Sequence, residues 1–359
     1  MDVKRVIDRF SAFVRDYSEG MSVRGVHREL GRDASQAWGV LTREHAREVE
    51  PEGRLQRALY RTRIVFLGLS YKLSPARRML FALCLVMALI GVQVARPPFL
   101  LASVAGLVLL VALELADRII IRDELDVARD LQREILPCMP PAVAGYEFAF
   151  SYRTANTIGG DYYDFVPMPD GRLALVVGDA SGHGIAAGLI MAITNATLKT
   201  ALDNAGDPLV VASAVNRALC RTGGPRAFMT LFCGFLDPVS GGLHYLSAGH
   251  PFPMLRRSDG SIVELGVGCL PLGIREDVVP APGTVVVEPG DLLLMYTDGI
   301  PEAVNAAGVA FGFDRLRELL ALGGSAAEVH DRVLRAVADF GQGVKPVDDR
   351  SLIVVGRGR

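Results

Sequence analysis

The sequence predicts an α+β fold: an antiparallel β-sandwich flanked by helices, preceded by a two-helix transmembrane hairpin and a helical N-terminal region. Three observations predict it. Two long uncharged apolar runs lie between Met79 and Leu113, short β-rich runs separated by turns begin at Glu147, and Ala- and Leu-rich helical stretches interrupt those runs in two places.

Within residues 1–78, Val3, Val6, Ile7, Phe10, Phe13, Val14 and Tyr17 recur every three or four positions, the spacing of an amphipathic helix. This region holds 16 Lys+Arg against 10 Asp+Glu, a net +6. It is expected to be a helical cytoplasmic region, either a small solvated bundle or a surface for the anionic inner leaflet. About 78 residues precede the apolar run, a position that does not suit a signal peptide.

Residues 79–117 form the expected hairpin. MLFALCLVMALIGVQVA carries no charge, Arg96-Pro97-Pro98 breaks it, and FLLASVAGLVLLVAL follows. Each run is near the length that crosses a bilayer, and Pro cannot continue the first helix. Basic residues crowd the outer flanks (Arg61, Arg63, Lys72, Arg77, Arg78, then Arg118 and Arg122), whereas the connection has Arg96 alone. The positive-inside rule puts both ends in the cytoplasm, and a two-pass protein of the cell inner membrane is expected; a buried helical pair in a soluble domain is the alternative. Residues 118–141 are expected to be a linker helix. Its apolar stripe, Ile121, Leu125, Ala128, Leu131 and Ile135, suits either a homodimer through 121–136 or packing against the body.

The remaining domain, 142–359, contains strand candidates at 147–152, 173–178, 228–236, 243–248, 284–288, 291–297 and 351–356, and helix candidates near 184–202, 208–221, 312–322 and 325–340. Residues 121–359 hold 20 Lys+Arg and 28 Asp+Glu, net -8, inside a chain of net -2. That balance excludes a globally basic nucleic-acid binder. Half of the residues are hydrophobic and mean hydropathy is +0.30, which excludes a disordered chain. Five cysteines without a C-x-x-C pair suggest buried apolar residues rather than a disulfide framework or a zinc site.

Chemistry-bearing residues gather at predicted strand ends. Asp161 and Asp164 lie in GGDYYD, Asp179 in GDASGHG, Asp298 in TDG, and Asp348 and Asp349 directly precede SLIVVG. Carboxylates beside small residues supply oxygen ligands with room for backbone carbonyls, the donor set of a hard divalent cation. Brought together without a cation they would repel one another. His183 could donate a proton to a leaving group or sit in a turn, and His250 in SAGHP suits a structural role.

These motifs, with ELDVARDLQREILPCMPP before them and LPLGI and the longer GDLLLMYTDGIPEAVNAAGVAFGFDRL among them, resemble the SpoIIE/RsbU-type bacterial branch of the metal-dependent (PPM, type 2C) serine/threonine protein phosphatases over about 125–356. The resemblance implies two Mn²⁺ or Mg²⁺ ions at one edge of a PPM-like sandwich. It implies that Asp179 bridges them, that Asp298 and Asp348 (or Asp349 in its place) serve one, and that Asp161 and the Ala180 carbonyl serve the other. Water would attack a phosphoserine or phosphothreonine without a covalent enzyme intermediate. The implied substrate is a phosphorylated STAS-type anti-sigma-factor antagonist in a partner-switching pathway; a catalytically silent PPM-fold binding module is the alternative. Ser351 keeps the hydroxyl of the usual Thr, whereas Asn156 replaces the phosphate-holding Arg of eukaryotic-type members. No G-x-x-x-x-G-K-[ST] loop supports nucleotide binding.

Overall fold

The computed structural model describes residues 53–358 apart from 205, 223, 225 and 226. The amphipathic pattern over Val3–Tyr17 lies outside the described residues. The chain divides into two compact units, Met1–Ile120 and Ile121–Arg359.

In the first unit, α1 (Arg54–Lys72) leads into α2 (Pro75–Gln93), and α3 (Pro97–Ile135) begins after the Pro-containing break. Helix α2 starts where the sequence prescribes: Ser74 caps it by accepting a hydrogen bond from the Arg77 amide, and Pro75 occupies the first turn, where its missing N–H costs nothing. Small residues bring α2 and α3 together. The Ser103 hydroxyl donates to the Cys84 carbonyl at 2.7 Å, and a Cβ at Gly106 would collide with Cys84 Sγ. At the basic flank, Arg77 binds Glu114 at 2.9 Å and Asp117 at 2.6 Å. Most of the remaining apolar surface is outward-facing, with Leu83, Val86, Leu89, Leu101, Val104 and Val108 all exposed. Both helices are long and apolar enough to cross a membrane.

The second unit contains two antiparallel five-stranded sheets. One has the order β1 (Tyr146–Arg153), β10 (Arg350–Arg357), β9 (Leu292–Tyr296), β6 (Met254–Arg256), β7 (Ile262–Glu264). The other runs β2 (Asp161–Pro167), β3 (Leu173–Ala180), β4 (Met229–Leu236), β5 (Gly242–Ala248), β8 (Pro282–Val286). Helices α4 (Ile185–Leu202) and α5 (Pro208–Thr222) pack on the β2–β8 sheet, and α6 (Phe313–Ala321) and α7 (Ala326–Phe340) on the β1–β7 sheet.

Strand periodicity explains these layers. Along β10, Ile353 and Val355 join the core between the sheets, while Leu352 and Val354 join the core beneath α6 and α7. Phe148 and Phe150 of β1 meet Phe165 of β2 at 5.5 and 5.3 Å between ring centroids, filling the inter-sheet space. Helix α4 is also long and apolar enough to span a bilayer, yet Ala187, Ile190, Met191, Leu198 and Leu202 are buried in the domain core.

Seven strands and four helices of the domain lie where sequence patterning places them. Three strands differ. DYYD opens β2, a strand absent from the candidates, its residues alternating between the two faces, and β6 and β7 are three-residue strands too short to show a period. Cys138 is exposed, a correction to the expectation that the cysteines are buried; Cys84 and Cys233 are buried.

Candidate metal centre

Strand pairing brings the acidic motifs to one end of the sandwich. Asp161 opens β2 and is the register partner of Asp179 near the end of β3. Asp179 is in turn the partner of Thr230 on β4. From the other sheet, Thr297 and Asp298 follow β9, and Asp348 and Asp349 precede β10.

Asp161 is held from across the sandwich. Its Oδ2 accepts hydrogen bonds from the hydroxyls of Thr297 and Ser351, each at 2.7 Å, while the Ser351 amide donates to Thr297 Oγ1 at 2.9 Å. Its Oδ1 is buried with no hydrogen-bond partner, and so is Oδ1 of Asp298. Burial, followed by the charge of Asp179, pushes the Asp161 carboxyl well above the usual carboxylate range. Asp179 is pushed up to about 8, chiefly by burial and then by Asp298, Asp348 and Asp349. Asp298 rises to about 6 through burial and then Asp348 and Glu302. Among the described residues none of Asp161, Asp179, Asp298 and Asp348 has an ion-pair partner.

The two residues of the Asp348-Asp349 pair differ. Asp349 is buried, with Oδ1 accepting from the Ala155 amide at 2.7 Å and Oδ2 from the Gly160 amide at 2.5 Å. Asp348 is exposed, and one of its oxygens accepts the Asp349 amide at 2.8 Å. Asp349 thus ties down the loop before Asp161, leaving Asp348 the freer carboxylate. Asp164 points to the opposite face of β2, where it meets the Tyr162 hydroxyl at 3.0 Å and Lys199 at 3.1 Å.

Glycines set the spacing. A Cβ at Gly160 would stand 3.0 Å from the Ala180 carbonyl oxygen and 3.2 Å from Asp179 Oδ1, so only glycine leaves both oxygens their present approach. Gly159 is pressed more closely still, since a Cβ there would collide with the Tyr152 hydroxyl and stand 2.6 Å from Asp349 Oδ2. Gln132, buried near the C-terminal end of α3, donates to the Gly159 carbonyl at 2.6 Å and accepts from its amide at 3.1 Å.

His183 is exposed in the loop before α4 and makes no hydrogen bond among the described residues. His250 is buried, its Nδ1 3.0 Å from Thr230 Oγ1 and its Nε2 3.1 Å from the Tyr296 carbonyl. Burial lowers its pKa to about 3, so the imidazole is neutral. A cleft of ≈ 550 Å³ opens over this end of the sandwich, lined by Asp179, Asp298, Thr230, His250, Phe252 and Phe313 among others.

Among the described residues, no group of three His, Cys, Asp or Glu side chains is gathered tightly enough to cage an ion as it stands. The donor chemistry nevertheless fits hard divalent cations: buried carboxylates facing one another, two of their oxygens orphaned, and a backbone carbonyl beside them. The sequence motifs singled out the acids and the Ser351 hydroxyl but missed Thr297, Thr230 and Gln132. Thr297 was legible as a hydroxyl adjoining an acidic motif; Thr230 and Gln132 carry no local signal.

Residues 169–358 match the family described as Stage II sporulation protein E (SpoIIE). Protein IcfG of Synechocystis sp. (strain ATCC 27184 / PCC 6803 / Kazusa) is 26% identical over 264 residues, covering 66% of this chain and 42% of the relative. Phosphoserine phosphatase RsbU of Bacillus subtilis is 25% identical over 183 residues, 51% of this chain and 54% of RsbU. The chain thus spans about half the length of these curated relatives. Among solved structures, the SiaA-PP2C domain of Pseudomonas aeruginosa superimposes with a TM-score of 0.60 at 22% identity, over 68% of this chain and 99% of that one. The RsbU and RsbW domains of Rv1364c from Mycobacterium tuberculosis give 0.53 at 30% identity, over 61% and 63%.

Proposed function

Because the chain belongs to the SpoIIE family, we propose that it is a membrane-tethered, metal-dependent protein serine/threonine phosphatase. Its proposed substrate is a phosphorylated STAS-type anti-sigma-factor antagonist in a partner-switching pathway. The observation that carries the reading is the facing pair Asp161 and Asp179, joined by Asp298 and Asp348, none of which has an ion-pair partner among the described residues.

In this reading Asp179, Asp298 and Asp348 hold one ion, and Asp179, Asp161 and the Ala180 carbonyl hold the other, with Asp349 assigned to the loop rather than to an ion. When bound, Mn²⁺ or Mg²⁺ supplies the positive charge that stabilises a phosphoryl group under attack and makes water nucleophilic near neutral pH. The protein's own residues supply position. Thr297 and Ser351 donate to one oxygen of Asp161 and thereby turn the other toward the site. Gly160 keeps the Ala180 carbonyl accessible. The cleft beside Asp179 and Asp298 gives a phosphorylated side chain a route to the carboxylates. His183 remains the proposed proton donor to the departing serine oxygen, its exposure leaving it free to meet substrate.

The proposed domains are a helical cytoplasmic region at 1–78, a hairpin at 79–117, a linker helix at 118–141 and the phosphatase at 142–359. In support of the anchor, α2 and α3 expose apolar side chains along much of their length. In the linker, Gln132 and Leu136 are buried and Ile135 packs against the domain core, whereas Ile121 and Leu131 of the stripe are exposed. The final turn therefore packs on the body, and the stripe before it remains for a second copy.

The test is phosphate release from phosphorylated STAS proteins by the full chain in detergent. Activity with Mn²⁺ that is lost in EDTA and in Asp179→Asn supports the reading. Metal-independent turnover, or full activity in Asp179→Asn, overturns it; tight binding of the STAS protein without turnover would identify a silent binding module.

A further inference from the structure

The geometry points to Thr230 and His250 as positioning residues that fix Asp179 through a directed chain of hydrogen bonds. The inference rests on the reading of Asp179 as the central metal ligand. The direction of every bond follows from donor and acceptor chemistry. The Tyr296 carbonyl can only accept, so the His250 Nε2, 3.1 Å away, carries the proton. The ring is neutral, so Nδ1 bears a lone pair and accepts from the Thr230 hydroxyl at 3.0 Å. The Thr230 hydroxyl has two acceptors in reach, His250 Nδ1 at 3.0 Å and the Asp179 carbonyl at 3.3 Å; its single proton goes to the nearer, and Oγ1 presents lone pairs to the Asp179 amide, which donates to it at 3.1 Å. The chain therefore runs one way, from the Asp179 N–H through Thr230 and His250 to the Tyr296 carbonyl.

Its two ends bracket the centre. Asp179 lies on the β2–β8 sheet, and Tyr296 lies on the other sheet, two residues before Asp298. The Thr297 amide between them is engaged with the Ser351 carbonyl at 3.1 Å, so the backbone that carries Asp298 is fixed as well. A hydrogen-bonded imidazole that spans both sheets thus sets the separation of two acidic strand ends. A solvated turn histidine would do none of this: His250 is 3% exposed, and the Ser247 hydroxyl donates to its carbonyl at 3.2 Å, holding the backbone too. A packing role alone would need neither a hydroxyl at position 230 nor one particular tautomer.

Thr230→Val keeps the shape of the side chain and removes the hydroxyl, so it separates positioning from packing. In the full chain in detergent, calorimetric titration with Mn²⁺ should show Thr230→Val binding about 10- to 100-fold more weakly, the usual effect of losing an outer-shell partner. Thr230→Ser should restore near wild-type affinity. Nitrogen NMR of ring-labelled histidine in the unmutated chain should show His250 protonated at Nε2 and bare at Nδ1, a readout that needs neither metal nor a variant. Wild-type affinity in Thr230→Val, or a proton on Nδ1, overturns the chain. Failure of the unmutated protein to bind Mn²⁺ at all instead overturns the metal-dependent reading on which it rests.

Discussion

Asp161 and Asp179 face each other across neighbouring antiparallel strands, so two carboxylates that cannot share their charge comfortably are fixed side by side by strand register. In the metal-free protein this arrangement is destabilising, because each carboxylate is desolvated and opposed by the other. Asp179→Asn should therefore abolish metal-dependent turnover yet raise Tm in EDTA by about 2–4 °C, the shift that ~1 kcal/mol produces in a domain of this size. Differential scanning calorimetry beside the phosphate-release assay checks it; a lower Tm in EDTA would contradict the account.

The same groups set a pH dependence. Asp179 at about 8 and Asp298 at about 6 hold their protons above the range in which an unfolded chain releases them, about 4. Between those limits the folded state binds more protons than the unfolded state, so the stability of the metal-free protein falls as pH rises from about 4 to about 8. Saturating Mn²⁺ should flatten the decline. Tm measured against pH in EDTA tests the sign, and stability that climbs across this window would refute it.

Ser351 should matter through its hydroxyl alone. Ser351→Thr retains the bond to Asp161 Oδ2 and should be close to neutral, whereas Ser351→Ala removes one of two donors to a buried carboxylate. A hydrogen bond to a charged group contributes about 1.5–3 kcal/mol, so the Ala variant should bind Mn²⁺ at least about tenfold more weakly. Titration calorimetry on the two variants distinguishes the outcomes.

Gln132 links the linker helix to the loop before Asp161 through both its amide oxygen and nitrogen. Gln132→Leu keeps the volume but leaves the amide and carbonyl of Gly159 unpaired, at about 1–3 kcal/mol for each buried group. Reduced metal affinity is expected with little change in oligomeric state. Leu131→Glu, on the exposed stripe, should do the reverse, lowering the mass seen by light scattering while Mn²⁺ affinity stays within about threefold of wild type, the scatter expected when a surface change leaves the site untouched.

For the hairpin, reporter fusions at residue 74 and at the C-terminus should both read as cytoplasmic, and a fusion inserted at Arg96 as exported. The chain should stay with membranes through carbonate washing. Release by carbonate, or an exported C-terminus, would reject the proposed anchor.

Much of the fold was legible because β-branched and apolar runs declare their own period. The strands around Val176, Leu231, Leu294 and Val354 follow from their sequences, as does the helix over 326–340, whose Ser325 and Glu328 make a reciprocal cap. Strand β2 was hidden because acidic residues interrupt the β-branched pattern that marks the other strands, and only pairing with β3 makes Tyr162 and Asp164 one face and Asp161 and Tyr163 the other. The acids of the site were legible from composition beside glycine. Their supports were not: Thr230 meets Asp179 across 51 positions of sequence, and Gln132 meets Gly159 across 27. Such contacts come from topology, which no local window contains.

The hydroxyls that hold Asp161 come from one sheet, and Asp161 itself belongs to the other. The centre is therefore a clasp on the open end of the sandwich. Parting the sheet ends by even an ångström would stretch both 2.7 Å bonds together and turn the carboxylate loose. On the metal-dependent reading proposed above, how firmly the protein retains metal would gauge how tightly its two sheets are closed.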